Sequence, residues 1–371
     1  MLLFVETGCA IQLLYLCGPA SMNTHAFYMY RCLELAQRGA GRVAPNPMVG
    51  AVLVYQDRII GEGWHQQYGA AHAEVNCLNS VAGKELISQS TLYVSLEPCA
   101  HFGKTPPCTD LIIRNRIPRV VIGCTDVFSE VNGKGIGKLK AAGVELTEGV
   151  LENECIDINK RFFTFHTKRR PYVILKWAQS SDGKIAGQNG ERIRISNAFS
   201  DRLVHRWRSE EAAILVGTNT ARLDDPELTN RLWTGMSPLR LVIDKELSLP
   251  SHLKLFDKIN PTVVFNRHRT SEDGMLRYQQ LDGEQDMFKA MLDYLHATGI
   301  QSVLVEGGSG LLQSVIDSGN WDEARVITST PCIIGAGVEA PELDKEVPRY
   351  TERMDTDTID YYYRTTASAW K

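Results

Sequence analysis

The chain has 371 residues, of which 43% are hydrophobic and 23% are charged, and its formal net charge at pH 7 is −4. This length and composition predict a globular protein of two or three domains with true hydrophobic cores. The acidic balance argues against a protein whose main partner is a nucleic-acid backbone, since such proteins are basic, whereas a small anionic substrate needs only a few local arginines.

The first 21 residues contain apolar runs that resemble a secretion signal only faintly. No Lys or Arg precedes these runs, and Gly8 and Gln12 interrupt them, so they predict neither export nor a membrane span, which needs about 20 apolar residues. We expect residues 1–21 to be an N-terminal extension without a role in catalysis. The nine cysteines are odd in number, which favours free thiols and a cytoplasmic location over a disulfide framework.

Strands and helices are predicted to alternate along the first half of the chain. Helices are predicted over 25–37, 109–115, 137–142 and 151–165, with another that starts at Glu74, and strands over 48–55, 91–96 and 119–124. This alternation predicts a three-layer α/β/α domain. The basic segment 166–171 ends in proline, so we place a boundary there and predict domains over residues 22–168 and 169–371.

A candidate metal site is formed by His72 and Glu74 together with Cys99 and Cys108. One imidazole and two thiols can hold zinc in a tetrahedron and leave the fourth position for water. The metal lowers the pKa of that water towards about 7, and Glu74 can take the proton without being a ligand. This is the zinc deaminase pattern H-x-E…P-C-x-x-C, except that the cysteines here are nine positions apart.

Two further segments of the first domain have an alternative interpretation. His101 lies between the two cysteines, but as a fourth ligand it would close the position that water needs, so we expect three protein ligands. The segment 132–138 is rich in glycine, yet it matches neither G-x-G-x-x-G nor G-x-x-x-x-G-K-[ST]. We predict a turn before a helix there, not a phosphate-binding loop.

The second domain also alternates strands with helices. Strands are predicted over 171–178, 212–216, 239–244, 262–265 and 301–306, and a helix over 311–316. This pattern gives a second α/β sheet. Gly307–Gly310 follow a strand and open a helix, where free N–H groups suit a cofactor diphosphate, although a tight turn is the alternative. Lys176 and Asp244 are interpreted as solvated charges at strand ends.

The segment from Leu96 to Cys108 resembles the zinc loop of the bifunctional riboflavin-biosynthesis deaminase/reductase family. The later order Asp182-Gly183, Gly217-Thr218, Asp224-Asp225-Pro226 and Glu306-Gly307-Gly308 is similar to the reductase half of that family. The likeness covers about residues 22–335. It implies an N-terminal cytidine-deaminase-like domain followed by a dihydrofolate-reductase-like α/β domain, and the lack of an early G-x-G-x-x-G fits that fold better than a Rossmann domain.

The resemblance implies two successive reactions on one small phosphorylated pyrimidine. Zinc-dependent hydrolysis would deaminate 2,5-diamino-6-(5-phosphoribosylamino)pyrimidin-4-one, and NADPH would then reduce the ribosyl group of the resulting 5-amino-6-(5-phosphoribosylamino)uracil to ribityl. Carried over residue by residue, His72, Cys99 and Cys108 are the zinc ligands, Glu74 is the catalytic proton shuttle and Asn46 contacts the substrate.

In the second domain, the resemblance assigns ten positions to the cofactor and the substrate. The cofactor-binding positions are Ala178, Arg194, Thr220, Asp224 and Gly308, and the substrate-binding positions are Arg192, Arg208, Leu228, Arg231 and Glu306. Arg208 and Arg231 suit a phosphate monoester, since each guanidinium can bind two oxygens. Arg192 and Arg194 stand where the family often has serine and tryptophan, which argues against cofactor stacking there and offers an alternative cation for the phosphates.

Three functions are compared on these grounds, and the two-step enzyme is favoured. A nucleic-acid deaminase with residues 171–371 as a binding appendage would share the zinc site, but it would need a basic, aromatic groove. A scaffold that keeps zinc only for stability would have no need of Glu74. We expect a homo-oligomer that binds a small-molecule substrate and neither nucleic acid nor a membrane.

Overall fold

The computed structural model describes residues 24–102, 106–128, 131–281, 286–343 and 346–364. The predicted extension over residues 1–21 lies outside these ranges. The chain divides after Lys160 into two compact units, and the domain boundary predicted at residue 168 stays a prediction. Within the described ranges, no helix has both the length and the apolarity that crossing a lipid bilayer requires.

The first unit contains short helices and strands in alternation. The helices are α1 (Thr24–Gln37), α2 (Ala73–Ser80), α3 (Cys108–Arg114), α4 (Lys134–Ala141) and α5 (Glu152–Ile158). The strands are β1 (Gly50–Tyr55), β2 (Arg58–Trp64), β3 (Thr91–Leu96), β4 (Arg119–Cys124) and β5 (Glu145–Thr147). A further helix, α6 (Lys160–Lys168), begins at the last residue of this unit and continues into the second. The strands predicted over 91–96 and 119–124 are confirmed at both ends.

One sheet, in the order β2-β1-β3-β4-β5, forms the centre of this unit. β1 pairs with β2 and β3 in antiparallel fashion, and β3, β4 and β5 run parallel. Alternate residues of a strand face opposite sides of a sheet. On one side Leu53, Val94 and Ile122 pack with apolar residues of α2, α3 and α4, whereas α1 packs on β1 and β3 and α5 packs on β4. The predicted three-layer α/β/α domain is confirmed.

The single helix predicted over 151–165 is wrong, because the chain forms two helices there. Asn159 separates α5 from α6 and has φ −104° and ψ 18°. Its side chain accepts the N–H of Met48 at 2.7 Å and donates to the Met48 carbonyl at 2.8 Å. These residues are 111 positions apart, so the local apolar pattern carries no information about the contact that ends α5.

The second unit contains longer helices and many more strands. Its helices, after α6, are α7 (Ala198–Glu210), α8 (Thr218–Asp224), α9 (Met287–Ala297) and α10 (Ser309–Ser318). Its strands are β6 (Tyr172–Ser180), β7 (Lys184–Gly187), β8 (Ala213–Gly217), β9 (Leu239–Ile243), β10 (Thr262–Asn266), β11 (Ser271–Asp273), β12 (Leu276–Gln280), β13 (Ser302–Val305), β14 (Glu323–Ser329), β15 (Gly337–Glu339), β16 (Tyr350–Met354) and β17 (Asp357–Tyr363). The predicted elements of this unit are all confirmed, with ends that shift by at most two residues.

A ten-stranded sheet in the order β11-β12-β10-β9-β8-β13-β6-β14-β17-β16 forms the centre of the second unit. The seven strands from β12 to β14 in this order run parallel. One face of the sheet packs on α9 and α10, and the other packs on α7 and α8. The carboxyl ends of β8, β9 and β13 therefore share one edge, which is where a parallel sheet usually binds its ligand.

Candidate active sites

Three side chains of the first unit form a potential metal centre. The donor atoms of His72, Cys99 and Cys108 all lie within 4.8 Å of one another. His72 Nδ1 is 3.6 Å from Cys99 Sγ and 3.4 Å from Cys108 Sγ. Zinc held about 2.3 Å from sulfur and about 2.1 Å from nitrogen in a tetrahedron separates such donors by about 3.6 Å. The donor set and its spacing therefore fit zinc, and His101 is not a member of the group.

Each of the three donors is fixed at the end of a regular element. His72 immediately precedes α2, Cys99 follows β3, and Cys108 is the first residue of α3. The N–H of Thr109 donates to the Cys99 carbonyl at 3.2 Å, and the N–H of Cys108 donates to Cys99 Sγ at 3.3 Å. These bonds bring the two ends of the long loop together, so the unusual cysteine spacing still places both thiols beside His72.

The pKa values of the two thiols of this centre are shifted in opposite directions, lowered for Cys99 and raised for Cys108, and the pKa of the nearby carboxyl group is raised. Hydrogen bonding from Cys108, together with the nearby imidazole of His72, lowers the pKa of Cys99 to about 4. This favours the thiolate, which is the form that binds a metal. Glu74 is only 3% exposed, and burial raises its pKa, with the negative charge of Cys99 adding to the effect. A buried carboxyl group whose pKa is raised is a better proton acceptor than an ordinary carboxylate, which suits general acid–base work.

A second imidazole, that of His65, lies next to the metal-binding group. Its ring meets the ring of His72 edge-on, with the centroids 5.5 Å apart. Asn46 Nδ2 is 3.1 Å from His65 Nε2, and His65 Nδ1 is 3.1 Å from the carbonyl oxygen of Ala71. Because the amide nitrogen can only donate and the carbonyl can only accept, the His65 proton sits on Nδ1. Burial also lowers the pKa of His65, so a neutral ring holds Asn46 beside the metal-binding group.

The glycine-rich segment over residues 132–138, which contains the first residues of α4, surrounds the carboxylate of Glu97. Glu97, between β3 and Cys99, is 4% exposed. Its carboxylate accepts four backbone N–H groups at 2.9 to 3.2 Å, from Asp126, Gly133, Gly135 and Ile136. The N–H groups that a phosphate would need are therefore already bonded, which argues against a phosphate-binding loop. A turn does precede a helix here, but the helix begins at Lys134, three residues before the predicted start.

In the second unit, the carboxylate of Glu306 lies between two cations. Glu306 follows β13 and accepts hydrogen bonds from Arg208 Nε and Nη2 at 2.9 and 2.8 Å. Lys176 Nζ, on β6, is 3.9 Å from Glu306. All three side chains are mostly buried. Although burial opposes it, the charges of Arg208 and Lys176 lower the pKa of Glu306 to about 2, so this acid is ionised and neutralised within the fold.

The interpretation of Lys176 and Asp244 as solvated strand-end charges is wrong. Lys176 belongs to the buried group around Glu306, and burial lowers its pKa. Asp244 is 2% exposed and accepts the N–H groups of Ser248 and Leu249 at 2.9 and 3.0 Å. Asp244 therefore closes the turn after β9, a role that a strand-end position alone does not reveal.

A cavity of about 140 Å³ brings together predicted residues from separate segments of the second unit. Its described lining consists of Arg192, Arg208, Asp224, Asp225, Pro226, Glu227, Leu228, Arg231 and Lys254. Four of the predicted substrate residues and the predicted cofactor residue Asp224 are among them. Lys254 has no place in any sequence motif, and only the fold identifies it as part of this wall.

Two other predicted cofactor residues meet at the carboxyl edge of the sheet. The N–H of Gly308 donates to Thr220 Oγ1 at 2.8 Å, which joins the start of α10 to α8. A Cβ atom on Gly308 would lie 3.2 Å from that hydroxyl, so glycine permits this close approach. Ala178, on β6, packs against the core on the α7 side of the sheet.

Arg194, another predicted cofactor residue, has an exposed side chain that pairs with a neighbouring helix residue. Its side chain is 74% exposed and Nη2 is 3.0 Å from Asp201 Oδ2. Ser196 Oγ donates to the same carboxylate at 2.8 Å. The side chain thus makes an ion pair at the surface, and its assignment to the cofactor stays a prediction.

Two family models match this chain, one within each of its two compact units. The family model described as the cytidine and deoxycytidylate deaminase zinc-binding region matches residues 22–124. The family model described as the RibD C-terminal domain matches residues 171–353.

Similar proteins match along most of the chain. The riboflavin biosynthesis protein RibD of Aquifex aeolicus is 40% identical over 321 residues, which is 85% of this chain and 89% of that protein. RibD of Escherichia coli is 34% identical over 84% of this chain and 88% of its own length. A crystal structure of the deaminase/reductase from Thermotoga maritima superposes with a TM-score of 0.84 at 36% identity, covering 92% of this chain and 98% of that one.

Proposed function

Since the chain belongs to the RibD family of bifunctional riboflavin-biosynthesis enzymes, we propose that its two reactions take place around Glu74 and around Glu306. The protein is a zinc-dependent pyrimidine deaminase and an NADPH-dependent reductase. It removes the amine from the phosphoribosyl diaminopyrimidinone and then reduces the ribosyl group of the phosphoribosyl aminouracil to ribityl. The nucleic-acid deaminase alternative is not favoured.

In the deaminase site, His72, Cys99 and Cys108 would hold the zinc ion. Bound zinc activates water for attack at neutral pH and polarises the reacting centre. The separations of 3.4 and 3.6 Å between the His72 nitrogen and the two sulfurs are the single observation that carries this assignment. With three protein ligands, a coordination position remains for water.

Glu74 moves the protons in this reaction. Its buried carboxyl lies beside the three donors but is not one of them. A carboxylate oxygen of Glu74 takes a proton from the attacking water, and the same group then protonates the departing amine. Asn46, held by its bond to His65, orients the pyrimidine through its remaining amide groups.

In the reductase site, the protein positions the sugar against the hydride donor. NADPH supplies a hydride when bound. The Gly308–Thr220 contact brings backbone N–H groups and the start of α10 to the carboxyl edge of the sheet, where a dinucleotide phosphate is best bound. Arg208, held in one orientation by Glu306, lines the cavity with Leu228 and Arg231 and contacts the substrate there.

The experiment that tests this function is one incubation of the zinc-loaded protein with the diaminopyrimidinone phosphate and NADPH. We expect ammonia release and NADPH oxidation in equal amounts, with oxidation lagging behind release. Ammonia without NADPH oxidation would contradict the reductase assignment, and NADPH oxidation only with the pre-deaminated uracil would contradict the deaminase assignment. Single-stranded DNA serves as the control substrate and should release no ammonia.

The protein is proposed to work as a homo-oligomer in the cytoplasm. Seven cysteines lie in the described part of the chain, and each has a free thiol there, which suits a reducing compartment. Light scattering of the purified protein checks the oligomeric state, and a monomer at micromolar concentration would contradict it.

A further inference from the structure

One wall of the reductase cavity is a short segment whose backbone has an unusual conformation. Leu228 and Arg231, at its two ends, line the cavity. Leu228 has φ 55°, which lies in the left-handed region that residues other than glycine rarely adopt. Such a conformation persists only where the surrounding structure holds it. The contacts of residues 228–231 therefore decide the shape of this wall.

Two side chains of α7 hold this segment by its backbone. Arg208 Nη1 donates to the carbonyl oxygen of Thr229 at 3.2 Å. His205 Nδ1 accepts the backbone N–H of Arg231 at 2.9 Å. His205 and Arg208 are three positions apart, so they lie on the same face of the helix. One supplies an acceptor and the other a donor, and together they hold two backbone groups of the segment against α7.

The bond to Arg231 also fixes the protonation state of His205. A backbone N–H can only donate, so Nδ1 carries no proton and the neutral ring has its proton on Nε2. Protonation of the ring would place an N–H at Nδ1, opposite the N–H of Arg231, and the hydrogen bond would be lost. Arg208 offers no such change, since a guanidinium stays charged. His205 can therefore hold the wall or release it, according to its charge.

The surroundings of His205 keep its ring neutral. The residue is 6% exposed, and burial lowers its pKa. The charges of Arg208, on α7, and of Arg231, on the cavity wall, lower this pKa further. The charge of Glu306, which follows β13, opposes the shift without reversing it. The ring is therefore an acceptor at neutral pH.

We propose that His205 is a positioning residue of the reductase site, which holds residues 228–231 in place when its ring is neutral and releases them when it is protonated. His205 is not part of the described lining of the cavity, so it acts through the residues that are. Release frees the strained backbone at Leu228, which should weaken binding of the aminouracil. Thr220 and Gly308, which are assigned to the cofactor, make their contact with each other and should be unaffected. This inference rests on the proposed reductase function.

The test compares three variants of the full-length, zinc-loaded protein with the wild type. His205→Asn keeps an acceptor close to the place of Nδ1, since the amide oxygen is also bonded to Cγ, but it does not titrate. His205→Phe keeps a ring and removes the acceptor. His268→Phe is the matched control, because His268 is an exposed histidine of the same unit that pairs with Glu246. Calorimetry gives the dissociation constants of the phosphoribosyl aminouracil and of NADPH between about pH 5 and pH 8, on both sides of the ordinary pKa of histidine.

At the upper end of this range, we expect His205→Phe to weaken aminouracil binding about fivefold, as for the loss of one hydrogen bond. His205→Asn should bind like the wild type there. As the pH falls, the wild type should lose affinity relative to His205→Asn, because only the wild-type ring becomes protonated. The phosphate of the substrate also titrates in this range, but it affects both proteins equally. NADPH should bind all four proteins alike, and His268→Phe should follow the wild type at every pH.

Nitrogen NMR of the wild type, labelled at histidine and arginine, gives a readout that needs no substrate. The His205 signals, identified by their absence from His205→Asn, should show Nδ1 without a proton and Nε2 with one at neutral pH. The amide signal of Arg231 should then shift with the same pH midpoint as the His205 ring. A proton on Nδ1 at neutral pH would overturn the proposal, as would an Arg231 amide that does not respond to the titration of the ring.

Two results of the calorimetry would also overturn it. One is a pair of parallel pH profiles for the wild type and His205→Asn. The other is a loss in His205→Phe that is equally large for NADPH, since that would indicate general damage to the unit. A variant that melts earlier than the wild type is measured again at a temperature where it is folded.

A failure of the proposed function would be distinguishable from these results. A wild type that does not bind the aminouracil, or binds it without oxidising NADPH, would contradict the reductase assignment. The NMR titration of His205 and Arg231 would still decide whether the ring holds the segment, because it is carried out without a ligand.

Discussion

The two sites differ in how their charges are balanced before any ligand arrives. The first gathers two thiols and the carboxyl of Glu74 around one imidazole, in a buried space. In the second, Glu306 is already neutralised by Arg208 and Lys176, and the cavity wall carries carboxylates as well as cations. The first site therefore presents donor atoms that a metal ion can join, whereas the second already pairs Arg208 and Arg231 with carboxylates.

The largest effect is expected from Glu74→Gln, which removes the buried carboxyl group that is proposed to move the protons in the first site. Ammonia release should fall about a thousandfold, since general acid–base catalysis contributes about 10² to 10⁴. Zinc content and the reduction of the aminouracil should remain at wild-type values. Metal analysis and the two activity assays check this. Ammonia release at the wild-type rate would break the comparison, because the buried acid would then have no chemical role.

The next largest effect is expected from Glu306→Gln, which leaves Arg208 and Lys176 without their shared partner. Breaking a buried ion pair from one side costs about 3 kcal/mol. Denaturation followed by tryptophan fluorescence should show this loss in the second unit, which contains Trp177, Trp207 and Trp321. Glu272→Gln is the control, because Glu272 pairs with Arg277 at an exposed position, and it should cost under about 0.5 kcal/mol.

The stability that the wild type gains over Glu306→Gln should depend on pH, and the direction of the change is fixed by the pKa of Glu306. The pKa of Glu306 lies below its ordinary value of 4.5, at about 2. The stabilisation is therefore present above pH 4.5 and is lost as the pH falls towards 2. The stability difference between the wild type and Glu306→Gln should shrink over this interval, and a difference that stays constant down to pH 2 would refute the ion-pair explanation.

A smaller effect is expected from Thr220→Val, which removes the hydroxyl that accepts the Gly308 N–H. The loss of one hydrogen bond costs about 1 kcal/mol, so the KM for NADPH should rise about fivefold while ammonia release stays unchanged. Ser314→Ala, which removes an exposed hydroxyl on α10, should leave both unchanged. If Thr220→Val altered ammonia release as strongly as NADPH use, the hydroxyl would not belong to the reductase site alone.

The smallest effect is expected from Arg194→Ala. Because this side chain is 74% exposed and pairs with Asp201, its removal should change the KM for NADPH by less than about twofold. Steady-state kinetics at saturating aminouracil check this. An increase of fivefold or more would restore the sequence-based assignment of Arg194 to the cofactor.

The sequence was more informative about the first site than about the second, for physical reasons. The proposed zinc ligands lie in short segments next to β3, α2 and α3, so their residue types and spacing predict the group that the structure brings together. Lys254, in contrast, joins the cavity through backbone bonds to Asp225 and Arg240. Neither bond leaves a pattern in the surrounding sequence, so only the fold could identify this residue.

Burial was the other property that local patterns could not supply. Lys176 and Asp244 look like ordinary charges at strand ends, and only the packing of the parallel strands shows that they are enclosed. The break at Asn159 depends in the same way on a distant partner, Met48. The strands and the helix that were predicted in the second unit, by contrast, follow from local apolar periodicity, and their ends agree with the structure within two residues.

The Glu97 carboxylate is covalently attached to the chain, so the four N–H groups around it, three from the glycine-rich segment and one from Asp126, are occupied before any anion arrives from solution. A Glu97→Gly substitution would leave these N–H groups unpaired, and they would then bind small carboxylates such as formate or acetate. The segment that leads to Cys99 would then depend on the buffer for its shape. A covalently attached counter-ion thus makes this part of the deaminase site independent of the salt around it.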